Sequence, residues 1–382
     1  MLKLYADALV DDHQCSFLRT RFFGETCDIG EGFGQGKYAI QTNEMLMKPV
    51  TGGEWAKVKA QKAFHNHYRD YIKKLGPDLV VLGWDNDSIG KLTAHVSREL
   101  AIPTMGCQEG SWTFSYSFPW KVELKKFILK NIISLYYPPA EYKKFYQNAD
   151  YAAVWGEFDR RQAIKYGIRE NNAFVVGDPR SSGVNRIKAV KTLEKGDTFL
   201  YLDLPGMTFP KGTLDYQRLC GFRKELMQIV TENGYWVIYK THPLTKPEEM
   251  AEIRRTIDGN ALIVLAEKGL AEDYYSEVAA CITFPSTCIY TVLWAALPLV
   301  QIVPNFGLVR KFYYDPVADH SAGITIVRPE DILKAFISLA DIQWQNAYHK
   351  NCGHAAEYIM GPADGMAPQR FKTAVSSIFS RN

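Results

Sequence analysis

From Ala279 to Pro304 the chain carries no charged residue, and Pro285 and Pro298 divide that run. Only 12 residues separate the two prolines, whereas a membrane-spanning helix needs about 20. The run therefore reads as a buried strand–helix–strand unit: Ala280–Phe284, Ser286–Leu297 and Leu299–Val303. Strands covered on both faces appear as continuous apolar segments, which is the habit of a parallel sheet.

The same rhythm extends along the chain. Asp78–Gly83 is a short apolar run, Ser88–Leu100 has helical spacing (Ile89, Leu92, Val96, Leu100), and Ile102–Cys107 reads as the next strand. Tyr151–Trp155, Glu157–Tyr166 and Ala173–Gly177 repeat it. The polar stretch Ser181–Asp197 reads as a connection, after which Thr198–Leu204, Asp215–Asn233, Tyr235–Lys240, Pro247–Ile257 and Ala261–Ala266 begin a second series. A short helix is expected at Glu272–Val278, and a mainly helical region from Pro329. Strands alternating with helices predict an α/β chain of two Rossmann-like domains facing across a cleft. The divisions expected are 1–180, 181–360 and a C-terminal helix at 361–382 that packs back on the first domain.

Charge and cysteines narrow the class. In 382 residues, 45 basic against 42 acidic side chains leave a net charge of +3, too small to require a nucleic-acid partner. The 7 cysteines are odd in number and form no CxxC pair, so neither a disulfide framework nor a zinc-thiolate site is expected. Acids appear early (Asp7, Asp11, Asp12) and no apolar leader core is seen, so a cytoplasmic location is expected, with peripheral membrane association as an option. The glycine run Gly30–Gly36 fails as a phosphate loop, because Tyr38 stands where Ser or Thr would follow Lys37.

In such folds ligands bind beyond the carboxyl ends of strands. Four strand ends carry polar groups. Glu109, between Gln108 and Gly110, is either an acid/base held in a partly desolvated place or a solvated loop acid. Asp203, alone in an apolar strand, is either a reacting acid or a carboxylate that anchors the loop. Lys240-Thr241-His242-Pro243 closes a strand, and its imidazole can donate to a phosphate. Ser286 and Thr287 open a helix, where hydroxyls and free N–H groups suit either a phosphate or an ordinary cap.

In this order, Lys-x-His-Pro, Ser-Thr before a helix and an L-P-L-V strand resemble GT-B glycosyltransferases of bacterial surface polysaccharides. The capsule and lipopolysaccharide Kdo transferases are the nearest in pattern, bacterial sialyltransferases more distant. In the first half, Leu100-Ala-Ile-Pro103, Gln108-Glu-Gly110, Trp155-Gly156, Tyr166-Gly-Ile168 and Val176-Gly-Asp-Pro-Arg180 agree with that resemblance. It implies a retaining transferase using CMP-Kdo, with a lipopolysaccharide or capsule glycan as acceptor. It further implies Glu109 as acid/base, Asp203 as carboxylate nucleophile, and His242 as stabiliser of the donor phosphate. Lys240, Pro243, Ser286, Thr287 and Gly110 fall on the donor side. No strand-flanked DxD is present, Asp85-Asn86-Asp87 being the nearest match, so neither metal nor cofactor is expected. Two positions depart from the family pattern: Thr291 replaces a ribose-binding Glu, and Ala296 replaces a Gly. The alternatives are a UDP- or CDP-dependent transferase, a polyol-phosphate transferase or 2-epimerase-like enzyme, and an inactive glycan-binding relic.

One local feature stands apart. Trp112, Phe114, Tyr116, Phe118 and Trp120 alternate, followed by Lys121, Lys125, Lys126 and Lys130 among apolar residues. The stripe suits an anionic membrane surface, a lipid-linked acceptor or a sugar-stacking face, and equally a half-buried edge strand with a solvated helix.

Overall fold

The computed structural model describes residues 8–9, 16–19, 39–42, 54–83, 88–108, 110, 113–116, 124, 148–181, 184, 186–187, 191–204, 213–243, 245–306 and 309–380. Glu109, the Gly30–Gly36 run, Asp85–Asp87, and Trp112, Phe118, Trp120 and the lysines of the aromatic–basic stretch lie outside them.

The chain forms two compact units. The first contains a parallel pair, β1 (Ser16–Arg19) with β2 (Ala39–Thr42). Helix α1 (Glu54–Leu75), β3 (Val80–Leu82), α2 (Ser88–Glu99) and β4 (Thr104–Cys107) follow. A short strand β5 (Phe114–Tyr116) belongs to the second unit. Then β6 (Tyr151–Val154), α3 (Glu157–Lys165) and β7 (Ala173–Val175) complete a four-stranded parallel sheet in the order β3-β4-β6-β7. Helices α2 and α3 join the parallel neighbours β3 and β4, and β6 and β7, the connection for which a right-handed crossover is the rule.

The second unit begins at β8 (Thr198–Leu202), followed by α4 (Leu214–Glu232), β9 (Trp236–Lys240), α5 (Pro247–Ile257) and β10 (Ile263–Ala266). After a 3₁₀ segment come β11 (Ala280–Thr283), α6 (Cys288–Ala295), β12 (Leu299–Ile302) and β13 (Val309–Phe312). The chain continues through α7 (Pro316–His320), β14 (Ile324–Ile326), α8 (Ile332–Ala340) and α9 (Ile342–Met360). Its six parallel strands run in the order β10-β9-β8-β11-β12-β14, so that counting from β8 they read 3-2-1-4-5-6. That order has one switch point, between β8 and β11.

Local chemistry explains the elements. The Thr213 side chain accepts from the Tyr216 N–H at 3.2 Å and starts α4, and Gly234 at φ +84° ends it. Between them Tyr216, Leu219, Phe222, Leu226, Met227 and Val230 turn one stripe into the core beneath β8 and β9. Helix α6 is short, uncharged and apolar on nearly every side, so it can exist only as a buried helix; α9 covers it, and the Tyr348 hydroxyl donates to the Leu297 carbonyl at 2.5 Å. The helix expected at Glu272–Val278 is a 3₁₀ turn over Glu272–Glu277. No described helix is long and apolar enough to cross a membrane.

Two segments group with a unit away from their neighbours in the chain. Strand β5 pairs antiparallel with β13, so Phe114 and Phe312 meet edge to face at 6.4 Å. At this point the aromatic alternation is an edge ribbon, and it groups with the second unit rather than falling within the 1–180 division. The chain from Gly361 groups with the first unit. There α10 (Ala367–Phe379) places Phe371, Ala374, Val375 and Ile378 against Met105, Cys107, Ala153 and Val176.

The return depends on a glycine. Gly361 has φ +70°, and a Cβ there would stand 2.3 Å from the Trp155 carbonyl oxygen and 3.0 Å from the Gly177 Cα. Both neighbours are backbone and cannot swing aside. Gly361→Ala is expected to cost roughly 2–4 kcal/mol, from backbone strain plus overpacking. By comparison, Gly167→Ala, where φ is +118° but nothing lies within 4 Å, carries the backbone strain alone. Thermal unfolding of both variants checks this: the Gly361 variant should melt lower than the Gly167 variant.

Candidate functional site

The sheet register sets the site. Leu202 pairs with Lys240 on one side and with Thr283 on the other, so β8, β9 and β11 end level. The residues that follow, Asp203, Thr241 and Phe284, therefore emerge in a row beside the switch point. The Asp203 N–H donates to the Lys240 carbonyl at 3.0 Å and extends this alignment by one residue.

Asp203 does not open onto solvent. Its side chain has 0% exposure, and so nearly does that of Arg223 at 4%, with Nη2 only 2.7 Å from Oδ1. The Leu204 N–H (2.8 Å) and the Tyr201 hydroxyl (3.4 Å) also donate to Oδ1, and the Tyr239 hydroxyl donates to Oδ2 at 2.8 Å. Arg223 continues to the Leu204 carbonyl at 2.7 Å and to Glu249 at 3.6 Å. Burial opposes the guanidinium charge, but Asp203, with Tyr239, Tyr201 and Glu249, holds Arg223 well above its ordinary pKa. Burial, then the Asp203 charge, drives Tyr201 and Tyr239 well above theirs, so both stay donors.

These contacts match one of the two readings of Asp203, a carboxylate that anchors the strand end: its side chain is closed to solvent and holds donors on both oxygens. Arg223 was missed, although it lies on the apolar stripe of α4, where an unpaired arginine would be prohibitive.

The groups after β9 remain accessible to different degrees. His242 is half-buried and Pro243 exposed, in a turn closed by the Thr245 N–H donating to the His242 carbonyl at 2.9 Å. Burial lowers the His242 pKa below its ordinary value; Asp203 offsets part of this and Lys240 adds to it. The imidazole is therefore neutral near pH 7, with one N–H to donate. Lys240 is buried, donates to the Thr241 carbonyl at 3.0 Å, and has its pKa lowered by burial against the opposing influence of Cys288 and Asp273. Cys288 is the first residue of α6, so the lysine charge acts on the start of that helix.

At that start, Ser286 and Thr287 are half-buried, and Thr287 caps α6 without a side-chain hydrogen bond to it. Gly110 stands beside them: a Cβ on it would lie 3.7 Å from the Thr287 Oγ1. Thr113 and Tyr290 join their hydroxyls one turn further on. Among the donor-side residues, the structure thus brings Gly110 to Thr287, and Lys240 toward the same helix start.

Both departures from the family pattern have structural consequences. Thr291 is buried and its hydroxyl meets that of Tyr275 at 2.7 Å, so it is committed to packing. Ala296 ends α6 in the left-handed region at φ +56°, where glycine is the unstrained residue.

Sequence reasoning also missed Asp159, in the first unit. It is buried on α3, and its Oδ2 accepts from the Gln108 amide at 2.8 Å. The Gln108 oxygen in turn accepts from the Trp155 N–H at 2.7 Å. The pair therefore fixes the residue immediately before Glu109. Burial pushes the Asp159 pKa up to about 7, with the Gln108 bond pulling the other way.

No protein-family model matches the chain, and no curated protein matches it in sequence. Solved structures do match in fold. UDP-GlcNAc 2-epimerase from Methanocaldococcus jannaschii superposes with a TM-score of 0.57 at 14% identity, covering 100% of this chain and 96% of that one. UDP-GlcNAc 2-epimerase from Neisseria meningitidis, bound to UDP-GlcNAc, gives 0.56 at 10% identity over 90% and 86%. MurG from Acinetobacter baumannii gives 0.52 at 13% identity over 99% and 95%. The fold is GT-B. Its two Rossmann-like units are the two parallel-sheet units described above.

Two outcomes are expected. Asp203→Asn leaves Arg223 buried without its nearer charge partner, a loss of about 3–5 kcal/mol, and the melting temperature should fall by roughly 6–20 °C on the scaling for units of this size. A variant as stable as the parent would return Asp203 to the list of free acids. Asp159 keeps its proton in the fold up to about pH 7, against an ordinary value of 3.8. Its contribution is complete below the lower value and is lost as pH rises through the higher one, on the order of 4 kcal/mol in all. Asp159→Asn should flatten this slope and melt higher than the parent at pH 8.

Proposed function

We propose that this chain is a glycosyltransferase that takes its sugar from a nucleotide donor bound at the strand ends of the second unit. The observation that carries the reading is the level ending of β8, β9 and β11 at the switch point. It sets Lys240–His242 and Ser286–Thr287 around the place where α/β sheets of this order hold ligands.

In this reading the first N–H groups of α6 and the hydroxyls of Ser286 and Thr287 cradle the donor phosphate. Gly110, lacking a side chain beside Thr287, leaves room for it. His242 donates its N–H to the leaving phosphate, and an arriving anion raises its affinity for a second proton. Lys240 supplies positive potential from below while remaining hydrogen-bonded to the chain, and Pro243 fixes the turn. Glu109, directly after the residue that Asp159 clamps, deprotonates the acceptor hydroxyl. Asp203 is a positioning residue, holding the strand end and tempering the burial of His242.

The meningococcal neighbour holds UDP-GlcNAc, which makes UDP the first nucleotide to test, ahead of the CMP-linked Kdo implied by the motif resemblance. A glycan or lipid-linked glycan is the acceptor class. A second reading, epimerisation at C2 of a UDP-sugar, rests on the fold likeness to the named 2-epimerases, which extend over 90–100% of this chain as MurG does over 99%.

Melting with UDP, CDP and CMP ranks the nucleotides, since a ligand at 100 times its Kd stabilises by about 2.7 kcal/mol. Mass spectrometry and NMR of the products then separate the readings. A glycoside formed only with acceptor supports transfer, whereas a C2 epimer formed without acceptor supports the second reading. Neither product from any donor sinks both. The anomeric configuration adds a further test: inversion follows one displacement with Glu109 as base, while retention by double displacement calls for a carboxylate nucleophile. His242→Ala should lower turnover about 100-fold, the scale of one lost transition-state donor, with melting nearly unchanged.

A further inference from the structure

Helices α1 and α2 of the first unit pack through Tyr68, Ile72, Leu92 and Val96, and the Tyr68 hydroxyl meets that of Thr93 at 2.8 Å. At the edge of this contact stand three side chains that the proposed sugar chemistry does not use: His65 on α1, and His95 and Glu99 on α2. His95 and Glu99 are four residues apart and so share one helix face. Glu99 Oε1 lies 3.2 Å from His95 Nε2 and 3.7 Å from His65 Nε2. The imidazole centroids are 5.6 Å apart, and one ligand atom from each of the three side chains falls within 4.8 Å of the others.

We propose that His65, His95 and Glu99 form a divalent-cation site whose preferred ion is zinc. Two imidazoles and one carboxylate are a zinc donor set, and no thiolate is among them to favour a softer ion. At zinc–ligand distances near 2.0–2.1 Å, neighbouring tetrahedral ligands sit about 3.3 Å apart. The two separations to Glu99 bracket that value, so small side-chain rotations suffice. The remaining carboxylate oxygen, Oε2, is 3.4 Å from Arg69 Nε. This pairing orients Glu99 as an outer-shell partner does, and its positive charge limits the affinity. Water completes the coordination. Because the ligands come from both helices, the ion joins α1 to α2 and stabilises the first unit.

The alternative is a set of imidazole–carboxylate pairs with no ion. Full-length protein freed of metal by EDTA and dialysis is titrated with ZnCl₂ by calorimetry and with CoCl₂ by visible absorption. The expected result is one equivalent of zinc, with a cobalt spectrum showing a visible tetrahedral band and no near-ultraviolet thiolate band. His65→Ala and His95→Ala should each weaken zinc binding at least tenfold, and Arg69→Gln should strengthen it several-fold. Circular dichroism and melting without metal establish that each variant is folded. A zinc-induced rise in melting temperature should be present in the parent and lost in the His65→Ala/His95→Ala double variant. Absence of a one-equivalent event, a thiolate band, or unchanged affinity in the folded double variant would overturn the proposal.

Discussion

The buried pair of Asp203 and Arg223 is the interaction on which the second unit's strand ends depend. Two opposite charges at 2.7 Å, both withdrawn from water, would be a net burden if either lacked further partners. Here the carboxylate also accepts from the Tyr201 and Tyr239 hydroxyls and the Leu204 N–H, while the guanidinium also reaches the Leu204 carbonyl and Glu249. The network ties β8, β9, α4 and α5 together at one point. That point lies directly beside the switch between β8 and β11.

The consequence for chemistry is electrostatic. Behind the strand ends lies a fixed charge pair, and in front of it His242 and Lys240 are partly deprived of water. Burial lowers both, so neither holds its charge as firmly as it would in solvent. Such groups gain most from an arriving anion, because the anion restores what desolvation removed. The same logic applies in the first unit, where burial pushes the pKa of Asp159 up to about 7 behind Gln108. In each unit a buried ionisable group stabilises the strand end without itself meeting solvent.

Much of the fold was legible because parallel α/β units write themselves as apolar runs separated by helical periodicity. The uncharged segment around Pro285 and Pro298 became β11, α6 and β12, with only the ends shifted. The site was legible as positions, since strand ends are where such sheets hold ligands, but not as roles. A lone acid in an apolar strand looks the same whether it reacts or anchors. The arginine that decides between them is 20 positions away along the chain, on another element.

What the sequence determined by itself was the alternation of strands and helices and the residue types at the strand ends, because periodicity and turn chemistry act over a few residues. The tertiary structure alone decided the strand order and the level ending of β8, β9 and β11. It also decided that Asp203 is spent on Arg223, and that Gly110 reaches Thr287. These all depend on pairings between distant segments, where burial and charge compensation are settled by neighbours that local sequence does not contain.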